Sequence, residues 1–126
     1  MEETPLSISN KSKEYQLTHE NKKFKIKISI LSDILIEVKE LEKIKGLFYS
    51  NSFSLEALVK LSKGFKICEN INEAYDILGA IFENKKASIK SNEKNDIILI
   101  IKVDLPGGKI QEAELSLNKK EINKNK

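Results

Sequence analysis

The clearest pattern in the chain is an alternation of apolar and polar positions that begins at Phe24. Apolar residues occupy every second position from 24 to 30, and lysine or serine fills the positions between them. This period of two predicts a strand with one solvated face. After a turn at Ser32-Asp33 a second alternation runs from 34 to 38, so the two segments together predict a β-hairpin. Further upstream only Tyr15 and Leu17 hint at a short strand.

The middle of the chain predicts two helices. The stretch Ser54–Lys63 begins with serine as N-cap and has one apolar stripe, and Gly64 is placed to end it. The stretch Asn70–Asn84 begins with an asparagine cap, has Glu73 as the reciprocal capping partner, and repeats apolar residues at helical spacing. The second helix is therefore the best defined element in the sequence.

The order of the elements predicts an α+β fold. The stretch "LFYSNSF" before the helices indicates a possible third strand, and "KASIKSNEKNDIILIIKVDLPGGKIQEAELSL" after them indicates three more. The expected order is β-β-(β)-α-α-β-β-β, a small antiparallel β-sheet or sandwich with an inserted helical pair packed together on one side. We expect one globular domain over residues 14–118, a flexible tail over 1–13 and a flexible basic tail over 119–126.

The loop "DLPGGKIQ" contains two glycines in front of a lysine, which raises the question of a phosphate-binding loop. A phosphate-binding loop needs an earlier glycine, a serine or threonine after the lysine, and a helix that follows. Here Ile110 follows Lys109, and the alternation after it predicts a strand. Proline followed by glycine in Leu105–Gly108 instead matches a tight turn, with a positive φ expected at Gly107.

The charge balance does not by itself indicate a nucleic-acid partner. The chain has 126 residues and a net charge of +3, and all 22 basic residues are lysines. Without arginine the chain lacks the usual group for bidentate recognition of guanine or phosphate. Much of the surplus lies in the tail Asn118–Lys126, so the remaining domain is nearly neutral. No apolar run is long enough to cross a membrane, and we expect a cytoplasmic protein that does not bind a membrane.

No residue pattern points to an enzyme, a cofactor or a metal. His19 is the only histidine, and its neighbours do not form a ligand spacing. Cys68 is the only cysteine and lies between apolar Ile67 and the cap of the second helix, which favours packing over nucleophilic chemistry. Glu112 and Glu114 share a strand face, as surface carboxylates commonly do. We therefore expect no catalytic, cofactor-binding or metal-binding residues.

Two binding functions remain open after these exclusions. The first is a non-catalytic protein–protein interaction or scaffold module, which an exposed apolar patch on the helical pair or on a sheet edge would favour. The alternative is nonspecific nucleic-acid binding, which would need lysines 22, 23, 25 and 27 to converge with those of Lys85–Lys90. Phe24 is the aromatic nearest to these lysines, but it shares its face with three isoleucines and is expected in the core.

The order of strands and helices resembles the head domains of the centriolar cartwheel proteins and of the end-joining ligase scaffold. The stretches "FSLEALVKLSKGFK", "NINEAYDIL" and "LPGGKIQEAELSL" also resemble domains of Lys- and Asn-rich protist proteins of unknown function. The resemblance runs from about Phe24 to Leu117. It implies a scaffold head that assembles with copies of itself or with other subunits. Because the expected hairpin tip is Pro106-Gly107-Gly108, no interface residue is carried over from these families.

Overall fold

The computed structural model of the protein describes residues 11–41, 47–91 and 97–121. Two α-helices and seven strands lie in this part of the chain, with two short 3-10 turns between them. The strands are β1 (Ser12–His19), β2 (Lys22–Ile30), β3 (Ile34–Glu40), β4 (Leu47–Phe53), β5 (Ala87–Ser91), β6 (Ile97–Leu105) and β7 (Lys109–Glu121). The helices are α1 (Leu55–Leu61) and α2 (Ile71–Glu83).

All seven strands form one antiparallel sheet in the order β1-β2-β3-β4-β7-β6-β5. The two strands at the ends of this order, β1 and β5, contact each other, so the sheet curls into a nearly closed barrel. The α+β class is confirmed. Of the two predicted arrangements, the antiparallel sheet is confirmed and the sandwich is wrong, because the strands form one curled layer. The predicted order is also wrong, because four strands precede the helices.

The sheet closes through β7, which pairs with two different strands. Its first part pairs with β6 as far as Leu117, and its last residues, from Asn118 to Glu121, pair with β4. The side chain of Asn51 adds a hydrogen bond of 2.9 Å to the carbonyl of Ser116 at this junction. One long strand thus joins the β1–β4 meander to the β5–β7 meander.

The ladders extend beyond the predicted limits of the globular domain. β1 begins at Ser12, and β7 runs to Glu121, so strand residues lie on both sides of the expected range 14–118. The predicted hairpin is confirmed, with β2 and β3 joined by residues 31–33. The segment "LFYSNSF" is also confirmed as a strand.

Both helices have the predicted N-caps, but their local contacts differ from the prediction. Ser54 accepts a hydrogen bond from the N–H of Ala57, and Asn70 accepts one from the N–H of Glu73. The carboxylate of Glu73 does not complete a capping box with Asn70 but accepts from the N–H of Glu69 at 2.7 Å. This still satisfies an amide near the positive end of the helix dipole.

The end of α1 is earlier than predicted. The helix stops at Leu61, and Ser62 is its C-cap. Gly64 therefore does not end the helix; it lies in the 3-10 turn Lys63–Phe65 and is buried. The pattern of the sequence suggested a C-cap because glycine is common there, whereas the structure gives this glycine a packing role.

The core fills the inside of the curled sheet. The inward positions of β2, β3, β6 and β7 are buried, and Phe24 is among them, as predicted. From the helical side Leu58, Phe65, Tyr75 and Leu78 close the open part of the barrel, each no more than 2% exposed. Burial of such side chains stabilises the fold by about 1.5–3 kcal/mol each.

Candidate interaction surface at the β6–β7 hairpin

The hairpin that joins β6 to β7 ends in a turn at Pro106–Gly108. Gly107 has φ 83° and ψ 13°, and Gly108 has φ 77°. A Cβ at either glycine would meet nothing within 4 Å, so both glycines are at the tip for their positive φ and not for a close contact. The predicted tight turn is confirmed, and β7 follows it directly, as expected for a hairpin and not for a phosphate-binding loop.

The base of this hairpin is fixed against the corner between α1 and α2. Gly64 packs so closely on β6 that an added Cβ would lie 2.2 Å from Val103 Cγ1. Next to it, the amide oxygen of Gln111 accepts hydrogen bonds from the Ser62 hydroxyl at 2.8 Å and from the Lys63 N–H at 3.1 Å. These contacts couple the direction of the hairpin to the position of the helices.

A groove of about 250 Å³ opens beside this junction, between α2, the 3-10 turn and β6. Its lining is mostly apolar and consists of Gly64, Ile67, Ile77, Ala80, Ile81, Asn84, Lys86, Val103 and Asp104. One end is polar, because Lys86 Nζ lies 3.2 Å from Asp104 Oδ2. An apolar groove with a charged rim has the chemistry of a protein-binding site.

Two exposed isoleucines flank the groove and the hairpin. Ile67 lies at the groove wall with 75% of its surface exposed, and Ile110 lies beside the hairpin tip, opposite Asp104, with 59% exposed. Leu31 is also 64% exposed, but it lies in the β2–β3 connection and lines a different depression with Ile30 and Leu35. The apolar surface at the hairpin is therefore distinct from the one at Leu31.

The two residues considered for nucleophilic or metal chemistry belong to different parts of the chain's fold. His19 ends β1, with its Nε2 3.7 Å from a carboxylate oxygen of Glu20. Cys68 is buried between the 3-10 turn and α2. Burial raises the pKa of the Cys68 thiol, and the nearby charge of Glu73 raises it further, so the unreactive thiol form is favoured.

The paired carboxylates lie on the outer face of β7 among lysines. Glu114 Oε2 is 3.8 Å from Lys90 Nζ, and Glu112 is directly opposite Lys102 on β6. Lys86 is also engaged with a carboxylate, that of Asp104. Lys86 and Lys90 are thus each balanced by an acid, from β6 and from β7 respectively.

The lysines of β2 lie on the outer face of the β1–β4 meander. Lys27 is opposite Glu37, a favourable pair of opposite charges across the ladder. Lys25 is instead opposite Lys39, a like-charge pair that is unfavourable across a ladder. Lys25 is relieved by Glu14, whose carboxylate lies 3.5 Å from its Nζ. These residues and the ring of Phe48 line a shallow depression of about 360 Å³.

Sequence reasoning did not find the groove residues. Ile67 was noted only as an apolar neighbour of Cys68, and its exposure depends on the 3-10 turn that replaces the end of the predicted helix. Ile110 was noted only as the residue that follows Lys109 in place of serine or threonine; because its partner across the ladder is Asp104, its face is the outer one. An isoleucine opposite an aspartate at a hairpin end is the one signal in the sequence that indicated exposure.

No helix among residues 11–41, 47–91 and 97–121 is long and apolar enough to cross a membrane. In the same residues no group of three or more histidine, cysteine, aspartate or glutamate side chains is placed to hold a metal ion.

The fold belongs to the class of small α+β domains in which one curled antiparallel sheet carries a helical pair between its fourth and fifth strands. The fold is similar to the crystal structure of the head domain of human CCDC61, with a TM-score of 0.64 over 88% of this chain and 98% of that chain. The two sequences are 8% identical, so the similarity shows the fold alone. No protein-family model and no curated protein matches the chain.

Proposed function

We propose that this protein is a non-catalytic head domain that binds other proteins and acts as a scaffold or assembly module in the cytoplasm. The observation that supports this function is the apolar groove beside the β6–β7 hairpin, with Ile67 exposed at its wall. Large apolar side chains that gather around one groove mark interaction sites more often than scattered ones do.

The fold supports the same proposal by analogy. The similar structure is named as a head domain, and the order of elements resembles the cartwheel and ligase-scaffold heads, which assemble with copies of themselves or with other subunits. Analogy of fold sets only a prior expectation, because one fold hosts many functions. The apolar groove is therefore stronger support for the function than the shared fold.

The partner in this proposal is a protein that inserts an apolar side chain into the groove. The floor of the groove offers Ile77, Ile81 and Val103, and the Lys86–Asp104 pair at the rim offers one charge of each sign. A central apolar anchor surrounded by polar groups is the usual anatomy of a binding hot spot. Both a second copy of the chain and a different subunit meet this requirement.

The proposal is tested by placing a photo-crosslinking residue at position 67 and, as a matched control, at position 31. Both Ile67 and Leu31 are exposed apolar residues, but only Ile67 borders the groove. We expect position 67 to give a defined covalent adduct in the source cell, which the additional substitution Ala80→Lys, at an exposed position of the groove lining, abolishes without a change in thermal stability. Analytical ultracentrifugation of the purified chain shows whether the partner is a second copy. Equal adduct patterns at the two positions would contradict the proposal.

Nucleic-acid binding is the alternative function. One observation favours it, because the ring of Phe48 lies among Lys25, Lys27 and Lys39 on a sheet face, as in stacking platforms for single strands. Two observations weigh against it: Glu14 and Glu37 line the same depression, and Lys86 and Lys90 are engaged with carboxylates of their own. We therefore rank it below the scaffold function.

A further inference from the structure

The first strand, β1, is the least buried strand of the described sheet. None of its residues is fully buried, whereas every other strand contributes buried side chains. Its inner side touches α2 through Tyr15, whose ring stacks on Phe82 with centroids 5.6 Å apart. The Tyr15 hydroxyl is buried and has no hydrogen-bond partner among the described residues. β1 is thus held mainly by its ladder to β2.

The turn that connects β1 to β2 is strained. Glu20 has φ 54° and Asn21 has φ 66°, so two successive non-glycine residues adopt the left-handed conformation. Two-residue hairpin turns of this kind favour asparagine at the first position and glycine at the second, because these residues adopt a positive φ readily. Here glutamate stands at the first position and asparagine at the second. The strain disappears when the turn opens into an extended strand.

We propose that β1 exchanges between two copies of this chain, so that β1 of each copy pairs with β2 of the other. The partner is a second copy because the whole ladder, from Ser12 opposite Ser29 to His19 opposite Lys22, is re-formed unchanged by the same sequence. The Glu14–Lys25 ion pair and the Tyr15–Phe82 stack are re-formed as well. Only the two strained turns differ between the monomer and the exchanged dimer.

The balance between the monomer and the exchanged dimer depends on the chain concentration. A short connection holds β1 near its own β2 at an effective concentration on the order of millimolar. Relief of strain at two turns offsets part of this advantage. The exchanged dimer therefore forms at high chain concentration, or wherever an assembly brings heads close together.

The inference goes beyond the proposed groove function and does not depend on it. The exchange uses the β1–β2 ladder at one end of the sheet order, whereas the groove lies between α2 and β6. A variant such as Ala80→Lys changes the groove alone. Its effect on crosslinking in cells and the effect described below are separate readouts, so each proposal can fail without the other.

The test uses disulfide formation between two singly substituted chains, each in a Cys68→Ala background. Gln16 and Lys25 are direct partners across the ladder. Hydrogen-bonded pairs alternate along this ladder from the Lys11–Ile30 pair, in which the Ile30 N–H donates to the Lys11 carbonyl at 3.0 Å. Gln16 and Lys25 are therefore a pair without mutual backbone hydrogen bonds. The Cβ atoms of pairs without such bonds lie close enough for a disulfide. Gln16→Cys and Lys25→Cys chains are mixed, equilibrated in mild denaturant and oxidised after refolding.

Neither single variant has a second thiol in its own chain. A disulfide between the two chains therefore shows that β1 of one copy lies beside β2 of the other. The matched control replaces Lys25→Cys with Ser29→Cys, which lies on the same face of β2 but is paired with Ser12. The double variant Gln16→Cys/Lys25→Cys, which must close within one chain when dilute, verifies the geometry. We expect the mixture with Lys25→Cys to give at least about tenfold more covalent heterodimer than the control mixture at millimolar concentration.

Relaxing the turn provides the second arm of the test. Glu20→Asn combined with Asn21→Gly suits the turn and should lower the heterodimer yield by about tenfold or more, because the monomer no longer stores the strain. Equal yields from the Lys25→Cys and Ser29→Cys mixtures would overturn the exchange, even if the chain dimerises by another route. A yield that does not respond to the relaxed turn would overturn the role of Glu20 and Asn21.

Discussion

Replacing Gly64 by alanine tests whether close packing between the helical corner and β6 fixes the hairpin. The added Cβ would lie 2.2 Å from Val103 Cγ1 and 3.3 Å from the carbonyl oxygen of Asp104. Carbon atoms in ordinary contact are about 3.5–4.0 Å apart, so the valine methyl must move by more than about 1 Å. Val103 is 2% exposed and stiff at χ1, so it cannot move into solvent.

The expected size of the effect follows from two opposing contributions. Overpacking of a core costs about 1–3 kcal/mol, and the loss of glycine entropy in the unfolded chain offsets about 0.4–1 kcal/mol of that. We expect Gly64→Ala to lower the free energy of unfolding by about 1–2 kcal/mol, measured by urea denaturation.

A double-mutant cycle identifies the cause of the loss. Val103→Ala removes the methyl that the new Cβ meets. The free energy of unfolding lost by the double variant should therefore be smaller, by about 1 kcal/mol, than the two single losses added together. Gly79→Ala is a matched control with a smaller overlap, since its Cβ would lie 3.0 Å from the Tyr15 hydroxyl, the terminal atom of a half-buried side chain. It should stay within about 0.5 kcal/mol of the parent because alanine also favours the helix. Additive effects of Gly64→Ala and Val103→Ala would refute the packing argument.

Three further predictions concern the turn, the buried phenol and the basic face. Gly107→Val should destabilise the domain by about 1–2 kcal/mol in a thermal melt, because a φ of 83° strains a β-branched residue. If the variant melts at the parent's temperature, the positive φ at this turn does not matter for stability. Burial raises the pKa of Tyr75, with a smaller contribution from Asp76, because the folded state favours the neutral phenol. The stability that comes from this preference is fully present below the unfolded-state pKa of about 10 and is lost as the pH rises toward the folded-state pKa. Tyr75→Phe should therefore be at least as stable as the parent at pH 7, because the hydroxyl has no partner among the described residues, and should lose less stability in urea titrations above pH 10. Labelled oligonucleotides should bind weakly at 50 mM salt; micromolar binding with a steep salt slope that Lys25→Glu and Lys27→Glu abolish would restore the nucleic-acid function.

The elements that could be predicted are those whose local pattern agrees with their burial. β2 has apolar residues on its inner face and lysines on its outer one, and α2 has its cap and its apolar stripe in one continuous segment. Long-range pairing decides neither element. Their types could therefore be read from periodicity, and the predicted turn at Gly107 followed from the φ that its position demands.

The parts that could not be predicted depend on residues far apart in the chain. β1 gave only a faint signal because none of its side chains is fully buried. The role of Gly64 depends on Val103, which lies on a strand beyond both helices. The groove exists only where these elements meet, so no local pattern around Ile67 distinguished an exposed isoleucine from a core one.

The pairing of β4 with β7 has a consequence for how the protein folds during synthesis. The two strands are distant in sequence, as the hydrogen bond between Asn51 and Ser116, 65 positions apart, illustrates. The β1–β4 meander can form early from local contacts, but its fourth strand has an open edge until the residues of β7 leave the ribosome. Long-range strand pairing of this kind is slow, and apolar surface stays exposed until β7 pairs with β4. We expect nascent chains that end before residue 109 to depend on chaperones, and those that include β7 to become protease-resistant in a single step.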